Sequence, residues 1–164
     1  MTTSATKSAR TVQGPDHLRS LVGTKLGASS WHEVTQPDID TFARVTGDLF
    51  WIHTDPQRAA QTPWGRTIAH GLYTLSLGPR FMYEIGQWEG LGIMQNYGYD
   101  KVRFTAPVPV GSLVRASLTL DRVDAKADGS LLRLSEVFER AGSHRPVCIA
   151  EFLLRFINPG TEED

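Results

Sequence analysis

One short segment of the chain carries the side chains best suited to acid–base chemistry. It runs from Thr46 to His53 and places an aspartate, Asp48, directly after a glycine and ahead of the histidine. A carboxylate and an imidazole that share one water molecule can deprotonate it and pass a proton on, which is general acid–base catalysis. Trp51 and Ile52 lie between the two groups in the sequence and would give them an apolar, water-poor wall.

A second segment, Ala69-His70-Gly71, offers a backbone donor rather than a side chain. A glycine near the first turn of a helix has an unpaired N–H, and a substrate carbonyl can approach it without meeting a Cβ. Such a donor stabilises negative charge that develops on the carbonyl oxygen during a reaction. Together the two segments predict an acid–base pair that faces an oxyanion site.

Each of these residues also has a structural interpretation, and residue chemistry alone leaves both interpretations open. Asp48 could bond only to nearby backbone, His53 could be a satisfied loop residue, and Gly71 could serve helix packing. A metal site built from Asp48, His53 and His70 is the weaker hypothesis, because their spacing matches no familiar ligand pattern, and we expect no metal. Cys148 falls on an apolar strand face, which is typical of an inert buried thiol.

The helix that precedes Asp48 has clear boundaries in the sequence. Residues 35–38 (Thr-Gln-Pro-Asp) combine a cap residue, an early proline and an acid in the first turn. Gly47 is a natural residue to follow the last turn, so we expect the helix to end immediately before Asp48. Residues 48–66 are predicted to form an ordered loop with one short helix at 56–60.

A second helix is predicted over residues 67–85, and it is apolar on nearly every face. A helix of this kind must be wrapped on most sides by other structure. Pro79 predicts a bend in this helix or a break near Leu75.

The remainder of the chain is β in pattern. Alternation over residues 94–104 places Gly98 and Val102 on one face of a strand and Tyr99 on the other. Asp128-Gly129 is a strong signal for a two-residue hairpin turn. Helices come first and antiparallel strands last, which predicts an α+β fold in which a curved antiparallel sheet wraps around the apolar helix.

Length and composition limit the class of protein. The chain has 164 residues, and we assign one domain to residues 15–158, between a disordered N-terminal tail (1–14) and a C-terminal tail (159–164). The 17 basic and 18 acidic residues leave a net charge of -1, which argues against a nucleic-acid partner. The apolar stretches are shorter than the roughly 20 residues of a membrane span. With one cysteine and no secretory signal, we expect a cytoplasmic protein.

Several blocks of the sequence, in the same order, resemble the MaoC-like family of (R)-specific enoyl-CoA hydratases and dehydratases. The resemblance extends from about Leu18 to Phe156. The first block is similar to the family's hydratase 2 motif, in the form of a bacterial branch that has Trp before Ile-His. The blocks are Thr46-Gly-Asp-x-x-Trp-Ile-His53-x-Asp-Pro-x-Arg-Ala59, Thr67-Ile-Ala-His-Gly71-Leu-Tyr-Thr-Leu75, Asn96-Tyr-Gly98 through Lys101-Val-Arg-Phe104, and Pro107-Val-Pro-Val-Gly111.

The resemblance implies a hot dog fold, a sheet wrapped around a long central helix, in a protein that is usually dimeric and needs no cofactor. It implies reversible syn addition of water to a trans-2-enoyl thioester, which gives a (3R)-hydroxyacyl thioester. Asp48 and His53 would hold and activate the water that attacks C3 and return a proton to C2, while the Gly71 N–H takes the thioester oxygen. The residues that we expect to contact the substrate are Phe50, Trp51, His70, Arg80 and Asn96.

One position departs from the family pattern. The family usually carries Asn or Gln where this chain has Phe50, and that amide helps to fix the loop or the water. Phenylalanine cannot form a hydrogen bond, so either Asp48 and His53 hold the water alone or position 50 merely packs. We expect hydratase activity to be retained, because both titrating groups and the glycine are present.

Other functions remain as alternatives to a CoA-dependent enzyme. A dehydratase of a fatty-acid or secondary-metabolite pathway would use the same site on an acyl carrier protein, and Arg66, Arg80, Lys101 and Arg103 could meet the phosphate of either carrier. A non-catalytic subunit that binds acyl thioesters is favoured only by the phenylalanine at position 50. A hot dog thioesterase fits less well, because residues 68–83 contain no acid for its central helix.

The open sheet predicts a homodimer. Such a sheet has two edges, and an uncovered edge invites pairing with another chain. We expect two copies to join their sheets edge to edge, so that sedimentation velocity of the purified protein returns a dimer. A monomer over the whole concentration range would contradict this prediction.

Overall fold

The computed structural model describes residues 10–159. The helices of this part of the chain are α1 (Gly14–Ser20), α2 (Gln36–Thr46), α3 (Trp51–Thr54), α4 (Pro56–Ala59), α5 (Gly71–Ser76) and α6 (Gly78–Ile85). The strands are β1 (Arg10–Gln13), β2 (Thr24–Ala28), β3 (His32–Glu33), β4 (Gly86–Glu89), β5 (Ile93–Phe104), β6 (Leu113–Lys126), β7 (Gly129–Arg140) and β8 (Cys148–Ile157). No described helix is long and apolar enough to cross a membrane.

The main sheet has the strand order β2-β6-β7-β8-β5, with β3 also paired to β6, and all of these pairs are antiparallel. Its inner face is apolar because alternate residues of β6, β7 and β8 point the same way. Phe138, for example, pairs with Ala116 on one side and Cys148 on the other, and all three are buried. The predicted α+β fold, a sheet around a helix, is confirmed.

The helix that the sheet surrounds consists of two consecutive segments, α5 and α6, which meet at Leu77. The interruption lies close to the predicted one, because Pro79 has no N–H to continue the helical hydrogen bonds. Most of its apolar side chains are buried, but Leu72 and Tyr83 are each 60% exposed. The helix is therefore covered on most sides, as predicted, and Leu72 and Tyr83 mark the side that a single chain leaves open.

Several local predictions differ from the structure. Residues 48–66 contain two short helices, α3 and α4, where one was predicted, and the central helix begins at Gly71 rather than at residue 67. Bulges in β5 break the alternation, so Tyr99 turns toward the core and stacks on Phe152 with ring centroids 4.9 Å apart. The β6–β7 turn is one residue earlier than predicted, because Lys126 already pairs with Gly129. Residues 10–13 of the predicted tail form β1, which pairs in parallel with β4 and buries Val12. The rest of the N-terminal tail, and the C-terminal tail after residue 159, lie outside the described residues.

A carboxyl group lies inside this core. Glu136 of β7 is fully buried, and its two oxygens lie 2.8 and 2.9 Å from the position that a Cβ would take at Gly78. Tyr99 Oη lies 2.8 Å from the same point. Burial raises the pKa of Glu136 to about 8, because the charged form loses its hydration. The glycine at position 78 leaves the space that the carboxyl group occupies.

Glu136 should make the stability of the fold depend on pH. Its pKa is about 4.5 when exposed and about 8 when folded, so unfolding releases a proton in this window and stability falls as pH rises from 5 to 8. Glu136→Gln has no carboxyl group to titrate, so its stability should not fall in this way. We expect the difference in unfolding free energy between Glu136→Gln and the native protein to grow in favour of the variant by about 2–4 kcal/mol from pH 5 to pH 8. Urea denaturation at several pH values measures it.

The matched control is Glu89→Gln, at an exposed residue of β4, and the stability of this variant should follow that of the native protein at each pH. If the unfolding free energies of Glu136→Gln and the native protein change with pH in parallel, the buried carboxyl group does not titrate in this window.

Candidate active site

Asp48 is held at the junction of two helices. Gly47 has φ 76°, a left-handed conformation that ends α2 and turns the chain. The backbone N–H of Asp48 donates to Thr46 Oγ1 at 3.4 Å, and Asp48 Oδ1 accepts from the N–H of Phe50 at 3.3 Å. The carboxylate is thereby oriented by local backbone while its side chain stays 55% exposed. The predicted helix end immediately before Asp48 is confirmed.

His53 lies in α3 and is oriented by a residue far along the chain. Its Nδ1 is 2.7 Å from the carbonyl oxygen of Ile68. A carbonyl only accepts, so Nδ1 carries the proton and Nε2 of the neutral ring has a free lone pair. Burial lowers the pKa of His53, which keeps the ring neutral and able to accept a proton near pH 7.

The loop brings the carboxylate and the imidazole together. One ligand-type atom each of Asp48, His53 and His70 lies within 4.8 Å of the others. A gap of this size suits a single water molecule that bonds to Asp48 and His53. The predicted approach of the two groups is therefore present in the geometry.

His70 contacts both residues of this pair and helps to hold them in place. It is 4% exposed, its Nε2 lies 3.0 Å from the backbone carbonyl of Asp48, and its ring stacks on that of His53 with centroids 3.8 Å apart. Because the carbonyl accepts, Nε2 carries the proton and has no lone pair for a metal ion. His70 is better suited to positioning the other two residues than to ligating a cation with them.

Gln36 is a positioning residue that sequence reasoning missed. Its Nε2 donates to the carbonyl of His53 and to Asp40 Oδ1, both at 2.8 Å, and its Oε1 accepts from Thr67 Oγ1 at 2.5 Å. It therefore joins α2 to both segments of the site. Its place in the first turn of α2 gave no signal, because the partners are 17 and 31 residues away.

A cavity of about 340 Å³ opens beside His53 and Gly71. As the first residue of α5, Gly71 has an N–H without a partner inside its own helix. The ring of Phe104 lies 2.7 Å from the position that a Cβ would take at Gly71, so any larger residue would collide with it. The cavity is lined by His53, Ile68, Ala69, Gly71, Thr74, Phe104, Thr105, Ala106, Pro107, Val108 and Val147.

The other predicted contact residues lie away from this lining. Phe50 is 57% exposed and contacts Trp51, and Trp51 lies beneath the guanidinium of Arg58. Arg80 forms an ion pair with Glu84 on the surface of α6. Asn96 is exposed and pairs with Leu154 in the sheet. Their contact with a substrate remains a prediction.

Comparisons with known proteins agree with this geometry. Residues 18–136 match the model of the MaoC-like domain family. The 3-hydroxyacyl-thioester dehydratase Z of Mycobacterium tuberculosis is 44% identical over 149 residues, which is 90% of this chain and 99% of that protein.

Two solved structures share the fold. An R-hydratase from Pseudomonas aeruginosa has a TM-score of 0.69 at 23% identity, over 84% of this chain and 82% of that one. The (R)-hydratase of A. caviae involved in PHA biosynthesis has a TM-score of 0.68 at 23% identity, over 82% and 96%. With a family model that matches most of its length and a 44% identical relative, this chain belongs to the MaoC-like domain family and has its hot dog fold.

Proposed function

We propose that this protein is an (R)-specific enoyl-CoA hydratase and (3R)-hydroxyacyl-thioester dehydratase, a hydro-lyase that adds water reversibly to a trans-2-enoyl thioester. The observation that carries the proposal is the approach of Asp48 and His53 to within 4.8 Å beside a cavity. Family membership and the name of the 44% identical relative support the same reaction class.

In the hydration direction, one water molecule donates one hydrogen bond to Asp48 and the other to His53 Nε2. The imidazole takes the proton as the water oxygen bonds to C3, and the electron pair of the double bond moves into an enolate. The imidazolium then returns its proton to C2. The hydroxyl group reaches C3 and the proton reaches C2 from the same side of the substrate, so the addition is syn.

The enolate oxygen needs a donor at the moment its charge develops. The Gly71 N–H supplies this hydrogen bond from the cavity wall, and a preorganised donor of this kind contributes about 10²–10³-fold to rate. The reaction needs only proton transfer and charge stabilisation, so we propose that it runs without cofactor or metal.

The position of Phe50 bears on the alternative of a non-catalytic subunit. Its ring points to solvent and the catalytic loop is held by Gln36 and His70 instead, so a missing amide at position 50 does not by itself favour a non-catalytic subunit. An acyl-carrier-protein substrate remains the second candidate. Arg103 could meet the phosphate of either carrier, because within residues 10–159 it has no carboxylate partner and stands beside cavity residue Phe104.

We further propose that the protein works as a cytoplasmic homodimer in acyl-thioester metabolism. The exposed side of the central helix, with Leu72 and Tyr83 each 60% exposed, supports coverage by a second copy. The outer edge of β5 supports it too, since within the described residues this strand pairs only with β8.

Removing either half of the acid–base pair should abolish most activity. Asp48→Asn and His53→Ala should each lower kcat/KM for crotonyl-CoA by about 10²–10⁴-fold, with loss of the conjugated chromophore as the readout. His144→Ala, in an exposed turn, is the matched control. Normal hydration by folded samples of both site variants would show that the assigned roles are wrong.

Gln36 should affect turnover more than binding. Gln36→Ala removes the two hydrogen bonds that join α2 to His53 and to Thr67, so we expect kcat to fall about 10–100-fold with little change in KM. Steady-state kinetics with crotonyl-CoA measure this, and Gln61→Ala, an exposed glutamine near α4, is the control. Equal kcat values for the two variants would exclude a positioning role.

A further inference from the structure

The cavity beside His53 and Gly71 has an inner end on the central helix. Gly71 and Thr74 are three residues apart, so they lie one above the other on the same side of the helix, and both line the cavity. Within residues 10–159, no residue of α5 or α6 after Thr74 belongs to this lining. Thr74 is 2% exposed, so the space that solvent can enter ends at its side chain.

The next turn of the helix is in contact with the sheet. Gly78 follows Thr74 by four residues and lies on the same side. Tyr99 Oη and the two Glu136 oxygens lie 2.8–2.9 Å from the position that a Cβ would take at Gly78, so these groups already fill the space there. Glu136 is fully buried, and Tyr99 stacks on Phe152. A substrate chain can pass Thr74 only by displacing these packed groups, which a close-packed interior resists.

The side walls of the cavity are held by backbone hydrogen bonds. The Ala69 N–H donates to the Val108 carbonyl at 2.8 Å, and the Val147 N–H donates to the Phe138 carbonyl at 2.8 Å. Ala69, Val108 and Val147 line the cavity, and all three are buried. A longer chain therefore gains no room by pushing these walls apart.

The distance between Gly71 and Thr74 sets the length of chain that fits. Three residues of helix separate the two, which is roughly 4.5 Å along the axis. A carbon–carbon bond is about 1.5 Å long, so a chain whose C1 lies at the Gly71 N–H reaches Thr74 at about its fourth or fifth carbon.

We propose that Thr74 is a specificity-determining residue: its side chain ends the acyl cavity and restricts the protein to short trans-2-enoyl thioesters, of about four or five carbons. The inference rests on the proposed hydratase function and names the substrate class of that site. Beyond this length each added methylene has to fit by strain, and one methylene in an apolar pocket changes kcat/KM by about 10–200-fold.

The test measures kcat/KM for crotonyl-CoA, trans-2-hexenoyl-CoA and trans-2-octenoyl-CoA. With the native protein, we expect the value for trans-2-octenoyl-CoA to be at least about tenfold below that for crotonyl-CoA. Thr74→Ala removes atoms from the end of the cavity and should raise the hexenoyl-to-crotonyl ratio by about tenfold. Thr74→Val keeps the size of the side chain and should keep the native ratio.

The matched control is Thr41→Ala, at an exposed threonine of α2, which should keep the native ratio. Equal kcat/KM for crotonyl-CoA and trans-2-octenoyl-CoA with the native protein would overturn the inference. The same hexenoyl-to-crotonyl ratio in Thr74→Ala and Thr41→Ala would overturn it too. The hydratase function survives either result, because crotonyl-CoA is still hydrated.

A protein that hydrates no thioester would contradict the proposed function instead, and the closed cavity is then tested by binding alone. Calorimetry with butyryl-CoA and octanoyl-CoA should show tighter binding of butyryl-CoA to the native protein, with a smaller difference in Thr74→Ala. Equal affinities, tighter binding of octanoyl-CoA, or no binding of either thioester would overturn the inference.

Discussion

The hydrogen bond between His53 Nδ1 and the carbonyl of Ile68 is the contact on which the site depends. It fixes which ring nitrogen carries the proton, and it therefore decides that Nε2 is the nitrogen able to act as a base. It also joins the loop after α2 to the segment that leads into the central helix. The same contact thus sets the chemistry of His53 and its distance from the Gly71 N–H.

The fold holds this contact by closing a sheet around a helix with unusually small residues on one side. Phe104 lies against Gly71, and Tyr99 and Glu136 lie against Gly78, so the sheet approaches the helix closely where a larger side chain would keep it away. The close approach places the buried carboxyl group of Glu136 against Gly78, where burial raises its pKa to about 8.

Local signals predicted much of the architecture, and long-range contacts explain the rest. The cap at Thr35 fixed the start of α2, and the glycine at Gly47 fixed its end and hence the position of Asp48, because these preferences act within one turn. The approach of His53 depends instead on Gln36 and Ile68, whose contacts no local pattern reveals. The bulges of β5 had the same effect on Tyr99, since strict alternation cannot show where a strand gains an extra residue.

The stereochemistry of hydration in D₂O tests the central claim most directly. If one water molecule between Asp48 and His53 supplies both the hydroxyl group and the proton, crotonyl-CoA should give (3R)-hydroxybutyryl-CoA with a single deuterium at C2, on the same face as the new oxygen. NMR spectroscopy of the product distinguishes the two faces. Deuterium on the opposite face, or on both faces equally, would contradict the account.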